Sequence, residues 1–238
     1  CGGATILAWM AVATILISSL IALKKDNLKA RLAFSTIGQL SYIVLGIAIL
    51  SPLSTAGALY HLVAHAFMKI TLFMCAGAIF VTTHKKDISE MVGLGRRMPV
   101  TMSAFTIASL GIAGFPFFVG FVSKANIIMG ALKTGQLLFG ATLIVSAVLA
   151  LTYLMPVVLI TFKREPVNPE FNTYGEASKT MLVPLLITAT VSVILGVAPN
   201  FGLHLLDLAM STGEAVFAHV GGVKIGRASC RERVFRAV

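Results

Sequence analysis

Apolar residues run along this chain in blocks of about twenty, separated by short clusters of Lys, Arg, Asp, Asn and Gly. The blocks fall at roughly 4–23, 32–50, 56–82, 99–132, 136–162 and 180–198. Each is long enough to cross about 30 Å of hydrocarbon as a helix, since a helix rises ~1.5 Å per residue. The pattern predicts an all-α integral membrane protein with about six transmembrane helices.

Polar residues inside the blocks distinguish them. The first, Ala4 to Leu23, has no charge, and its Ser18-Ser19 pair suits helix packing, so it reads as scaffold. The second carries Ser35, Gln39 and Tyr42 at offsets of four and three, which puts them on one face. The third contains His61, His65 and Lys69. At about 100° per residue, positions four apart lie nearly in line, so these three form one polar stripe. The fourth block is too long for one straight crossing, and its middle reads Gly111-Ile112-Ala113-Gly114-Phe115-Pro116-Phe117-Phe118-Val119-Gly120. Proline removes an amide donor and clashes with the preceding turn, while glycine permits non-helical backbone. A helix broken at Gly114–Gly120 is expected, with hydrogen bonding lapsing between about Gly111 and Gly120 and Lys124 on the resumed helix. The fifth block contains Tyr153 and Pro156 and ends in Lys163-Arg164, followed by a polar loop from Glu165 to Ser178. After Pro199, the segment from Phe201 to Val220 mixes apolar residues with His204, Asp207 and Glu214, as a terminal or interfacial helix would.

Composition agrees with a membrane assignment: 57% of residues are hydrophobic and only 12% charged, against roughly 25% charged in soluble domains. The net charge of +10 raises the question of an anionic partner. Its distribution answers it. Lys24, Lys25, Lys29 and Arg31 follow the first block, Lys85, Lys86, Arg96 and Arg97 the third, and Lys163, Arg164 and Lys179 the fifth, whereas the opposite connections offer little beyond Lys133. By the positive-inside rule these basic loops are cytoplasmic, placing the protein in the cell inner membrane with its charge acting as an orientation signal. No nucleic-acid partner is implied. Cys1, Cys75 and Cys230 have neither pairing logic nor metal-ligand spacing.

Both ends depart from the body of the chain. The chain starts at Cys1 and enters a span at once, as the rear portion of a longer protein would. From 222 onward the composition changes abruptly, and Lys224 to Val234 resembles the translation of a sequencing-library adapter. That tail carries Lys224, Arg227, Arg231, Arg233 and Arg236 against Glu232, four of the ten net positive charges. The expected organisation is a membrane domain over 1–221 and a non-native tail over 222–238.

A cation at the centre of a membrane helix costs about 2.5–3.5 kcal/mol even on the translocon scale, and such residues usually have a use. The His61/His65/Lys69 stripe is either a structural polar cluster that bonds neighbouring helices or a proton path. Three in register favour the path: desolvation lowers a lysine pKa from ~10.4 toward neutrality, where histidine already titrates. Lys124 either snorkels to an interface or acts beside the break, and the break favours action. Lys29, bordering a basic loop, is evenly balanced between anchor and relay on its own residues. The predicted spans contain no carboxylate, so direct Na⁺ or Ca²⁺ ligation is not expected. No phosphate loop, nucleophile motif, metal site or cofactor site is expected either.

Three stretches together resemble the proton-conducting antiporter-like membrane subunit family, which includes subunits L, M and N of respiratory complex I and subunits A and D of Mrp cation/proton antiporters. They are Asn27-Leu28-Lys29-Ala30-Arg31 through Gln39-Leu40-Ser41-Tyr42, the His61/His65/Lys69 helix, and Gly114-Phe115-Pro116 through Gly120-Phe121-Val122-Ser123-Lys124. The resemblance covers about residues 4 to 220 and implies the second of two inverted five-helix repeats. It also implies a relay of Lys29, His61, His65, Lys69 and Lys124. The family's usual acid just before the first lysine is Asn27 here, with Asp26 one position earlier. Arg96-Arg97-Met98-Pro99 and the Gly114-Phe115-Pro116 break look more like the Mrp D type. The implied function is proton translocation within a multisubunit Na⁺/H⁺ antiporter, with other membrane subunits as partners. The alternatives are a proton-pumping subunit of a complex I-like or hydrogenase-type redox complex, or an assembly subunit with a vestigial relay.

Overall fold

The computed structural model describes residues 2–163 and 175–222. Among these are eight α-helices: α1 (Gly2–Lys24), α2 (Leu28–Ala48), α3 (Pro52–Thr83), α4 (Pro99–Ala113), α5 (Val119–Lys133), α6 (Leu137–Lys163), α7 (Lys179–Val197) and α8 (Leu205–Gly222). Helices α1, α2, α3, α6 and α7 are each long and apolar enough to cross a membrane. Helices α4 and α5, at 15 residues each, are the two halves of the expected broken span. The 32-residue α3 lies at the centre and packs against α2, α4, α5, α7 and α8. The first and last residues, the 164–174 part of the polar loop and the tail from 223 lie outside the described residues, and Cys1 and Cys230 with them.

The break falls where glycine and proline place it. Helix α4 stops at Gly114, whose φ of 86° suits a residue without a Cβ. Gly114 N–H donates to Gly111 O at 3.0 Å, and Phe115 N–H donates to Leu110 O at 3.0 Å, the paired closing bonds of a Schellman end. Helix α5 begins five residues later, at Val119.

Helix α2 begins at Leu28, four residues ahead of the apolar block. The cause is a cap. Asn27 is extended, and its side-chain oxygen accepts from Ala30 N–H at 3.1 Å, satisfying an amide that the first turn leaves free. Lys29 and Arg31 therefore belong to a helix and not to the loop. For Arg31 this overturns the expectation of a solvated orientation charge: the side chain is 9% exposed, and its guanidinium donates to Lys25 O and Tyr153 O, both at 2.8 Å. It fastens α2 to α6. Planar, multiply donating arginine suits a site that presents two carbonyls.

The connections after α1 and α3 meet each other and the last turns of α6 at one end of the bundle, so Lys24, Lys25, Lys85 and Lys86 lie at the same end. Leu28 N–H donates to Lys86 O, Ile88 N–H to Asp26 O, and Gly93 N–H to Ile160 O. The Asp26 carboxylate accepts from Ser89 N–H and from Ser89 Oγ–H at 2.6 Å, which makes it a loop anchor. Glu176 caps α4: its carboxylate accepts from Val100 N–H at 2.8 Å and from the Thr101 hydroxyl at 2.5 Å. A carboxylate there also meets the positive end of the α4 dipole. Glu176→Ala is expected to cost about 1 kcal/mol, the usual loss of an N-terminal cap, read as a lower unfolding midpoint of the solubilised protein.

Candidate functional site

The polar stripe of α3 lies inside the bundle. His61, His65 and Lys69 are 0%, 6% and 5% exposed, and Lys124, on α5, is 4% exposed. None points to lipid. The side chains at 61, 65 and 69 stand about 6 Å apart along α3, as a spacing of four residues requires.

At one end of the row, the Lys124 ammonium donates to the Ile112 carbonyl. The capping bonds at Gly114 and Phe115 engage Leu110 and Gly111 and leave Ile112 O facing an unfilled role. Lysine takes it. The contact also sets a cation at the negative end of α4. Lys124 Nζ lies 4.9 Å from the centre of the Tyr42 ring, and that ring stacks on His61 at 5.6 Å with 22° between planes.

His61 Nδ1 is 2.8 Å from Ser123 Oγ, next to Lys124 in the chain. Ser123 gives its single proton to Gly120 O at 3.0 Å, so in this network His61 donates from Nδ1 and its Nε2 keeps a free lone pair. The His65 ring follows, 6.1 Å from His61, and its Nε2 also has no protein partner. Lys69 ends the row, with Nζ donating to the Leu32 carbonyl at 3.1 Å. Two lysines and two histidines are thus buried with no carboxylate among their contacts. Buried charges are normally paired, and no carboxylate here fixes a positive charge on any one of the four groups.

Lys29 is not brought into this row. It is exposed on the first turn of α2, and its Nζ lies 4.9 Å from the centre of the Phe80 ring. Phe80 is eleven residues beyond Lys69, about 16 Å along α3. Lys86 Nζ approaches the same ring at 5.3 Å. Among the described residues no group of three or more His, Cys, Asp or Glu is placed to hold a metal ion.

Two contributors escaped the spacing argument. Ser123 is legible only as a neighbour of Lys124, and Tyr42 only as part of the Ser35/Gln39/Tyr42 face. Ser35 Oγ and the Tyr153 hydroxyl hydrogen-bond at 2.8 Å, so that face points to α6 as well as α3.

Residues 3–162 match the sequence profile of the family described as NADH:quinone oxidoreductase/Mrp antiporter, transmembrane. The chain belongs to that family. It is therefore a multi-pass membrane protein of the antiporter-like subunit type. Subunit N of the NADH-quinone oxidoreductase of Desulforudis audaxviator is 36% identical over 202 residues, covering 80% of this chain and 40% of that protein. Subunit L of the Mycobacterium tuberculosis enzyme is 39% identical over 188 residues, covering 77% of this chain and 29% of its own length. The chain thus spans two fifths or less of these relatives. Its fold matches a chain of the Mrp complex from Dietzia sp. with a TM-score of 0.79 at 23% identity, over 87% of this chain and 47% of the other.

Proposed function

We propose that the chain forms part of a proton-translocating membrane subunit of a multisubunit cation/proton (Na⁺/H⁺) antiporter, with Lys124, His61, His65 and Lys69 as its relay. The observation that carries this is the buried row of four titratable side chains, two lysines and two histidines, with no acid among the helices that hold them. Lys29, exposed on the first turn of α2 with its Nζ over the Phe80 ring, serves the basic, cytoplasmic face at the far end from Lys124. The partners are other membrane subunits of the complex, in the cell inner membrane, and the membrane domain corresponds to residues 1–221.

A second reading has its own support. The relatives at 36–39% identity are named as NADH-quinone oxidoreductase subunits, which favours the same relay driven by a redox reaction. Inverted membrane vesicles holding the whole complex separate the two. Antiport predicts that added Na⁺ moves protons across the vesicle membrane with no electron donor present. Proton movement that starts only with an electron donor, and ignores Na⁺, supports the redox reading instead.

A further inference from the structure

Tyr42 carries no charge and stands outside the four-residue spacing of the row, yet it touches two of its members. Its side chain is fully buried. The hydroxyl donates to Leu143 O at 3.1 Å, which anchors the ring to α6 and occupies its polar end. What remains for the relay is the ring face, with the Lys124 ammonium over it and the His61 imidazole stacked on it. An aromatic face attracts cations through its quadrupole, and the attraction strengthens where water is excluded.

We infer that Tyr42 is a positioning residue of the relay, whose ring stabilises the positive charge on both sides of a proton hand-off between Lys124 and His61. The inference rests on the proton-translocating role proposed above. In the hand-off, which a bridging water carries because Nε2 of His61 has no protein partner within hydrogen-bond distance, Lys124 gives up one proton and becomes a neutral amine, while His61 takes one on Nε2 and becomes an imidazolium. One positive charge moves, and the same ring faces it before and after. The groups around Lys124 make this useful. The Ile112 carbonyl is its only hydrogen-bond partner from α4, the titratable groups of α3 on this side are His61, His65 and Lys69, and α6 offers Tyr153. No carboxylate occurs in α2, α4, α5, α6 or α7. Every other nearby titratable group either repels the ammonium when charged or is neutral, so beside the Ile112 carbonyl and the negative end of α4 the ring face is what attracts it.

The test compares Tyr42→Phe with two ringless variants, Tyr42→Met and Tyr42→Leu, in the complete protein within its complex, with assembly checked by co-purification. Proton transport into membrane vesicles is measured from pH 5.5 to 9 with Lys69→Ala in parallel. Tyr42→Phe keeps the ring and is expected to keep the wild-type pH profile. In the ringless variants the alkaline limb of transport is expected to move down by about one pH unit, the size of a desolvated cation–π contact, with at least a fivefold loss near pH 8. An unmoved limb in an assembled ringless variant, or a Tyr42→Phe profile shifted off the wild-type curve, overturns the inference. If Lys69→Ala loses transport while the ringless variants stay normal, only the role of Tyr42 falls. Full transport in Lys69→Ala removes the relay itself, and the role of Tyr42 with it.

Discussion

Replacing Lys69 by alanine is expected to abolish nearly all proton-coupled transport while leaving the protein assembled. Lys69 is the one lysine of α3, 5% exposed, with its ammonium resting on one backbone carbonyl. Removing it deletes the proton carrier at one end of the row. The fold has less to lose. The Leu32 carbonyl that Lys69 engages also accepts from the Thr36 hydroxyl at 2.9 Å, so no acceptor is stranded. Alanine also relieves a buried charge, which offsets part of the packing it gives up. Lys85→Ala supplies the comparison: Lys85 is partly exposed, 3.9 Å from Glu90, and such a pair contributes little to the fold and nothing to the row. Transport at matched expression is expected to fall at least fiftyfold in Lys69→Ala and to stay within twofold of wild type in Lys85→Ala.

The second large effect is structural. Gly120→Ala is expected to destabilise the protein by about 3 kcal/mol, as overpacking against a rigid group does. A Cβ at Gly120 would run into the backbone carbonyl of Gly111, and the Met68 Cε lies only 3.4 Å away on another side. Met68 can turn aside; a helical carbonyl cannot. Relief requires the start of α5 to move off the end of α4, and that movement separates Lys124 from Ile112 and Ser123 from His61. Gly77→Ala is the control, since a Cβ there meets nothing within 4 Å and alanine favours the helix. Heat or denaturant unfolding of the solubilised protein checks both: a midpoint for Gly120→Ala equal to that of Gly77→Ala would show that the junction tolerates what its geometry forbids.

How far the sequence reveals this arrangement depends on whether the cause is local. The break was legible, because Gly114 and Pro116 act on their own backbone and need no partner to stop a helix. The inward stripe of α3 was legible for a related reason: charge is too costly in lipid for His65 and Lys69 to face anywhere else. The start of α2 was obscured by its basic residues, which read as a loop until the Asn27 cap is seen to carry the helix through them. Arg31 was misread because its two acceptors, Lys25 O and Tyr153 O, come from elements that no spacing rule brings together. Lys29 shows the same limit. Motif position groups it with the relay, but its direction is set by the Phe80 ring, a contact made only when α2 and α3 pack. Tyr42 could be placed on a face from offsets alone, whereas its touching both Lys124 and His61 depends on where α5 settles after the break.

The most direct test of proton transfer through the row is the Lys69→Arg variant. Arginine keeps the charge, the length and the donors, so it can satisfy Leu32 O, but a guanidinium stays protonated at any physiological pH and cannot release what it holds. Dye-quench measurement of proton uptake into vesicles, with wild-type and variant complexes at equal amounts, is therefore expected to show transport in Lys69→Arg as low as in Lys69→Ala. Transport near the wild-type rate in Lys69→Arg would mean that this position supplies charge alone, and would contradict a proton relay through Lys69.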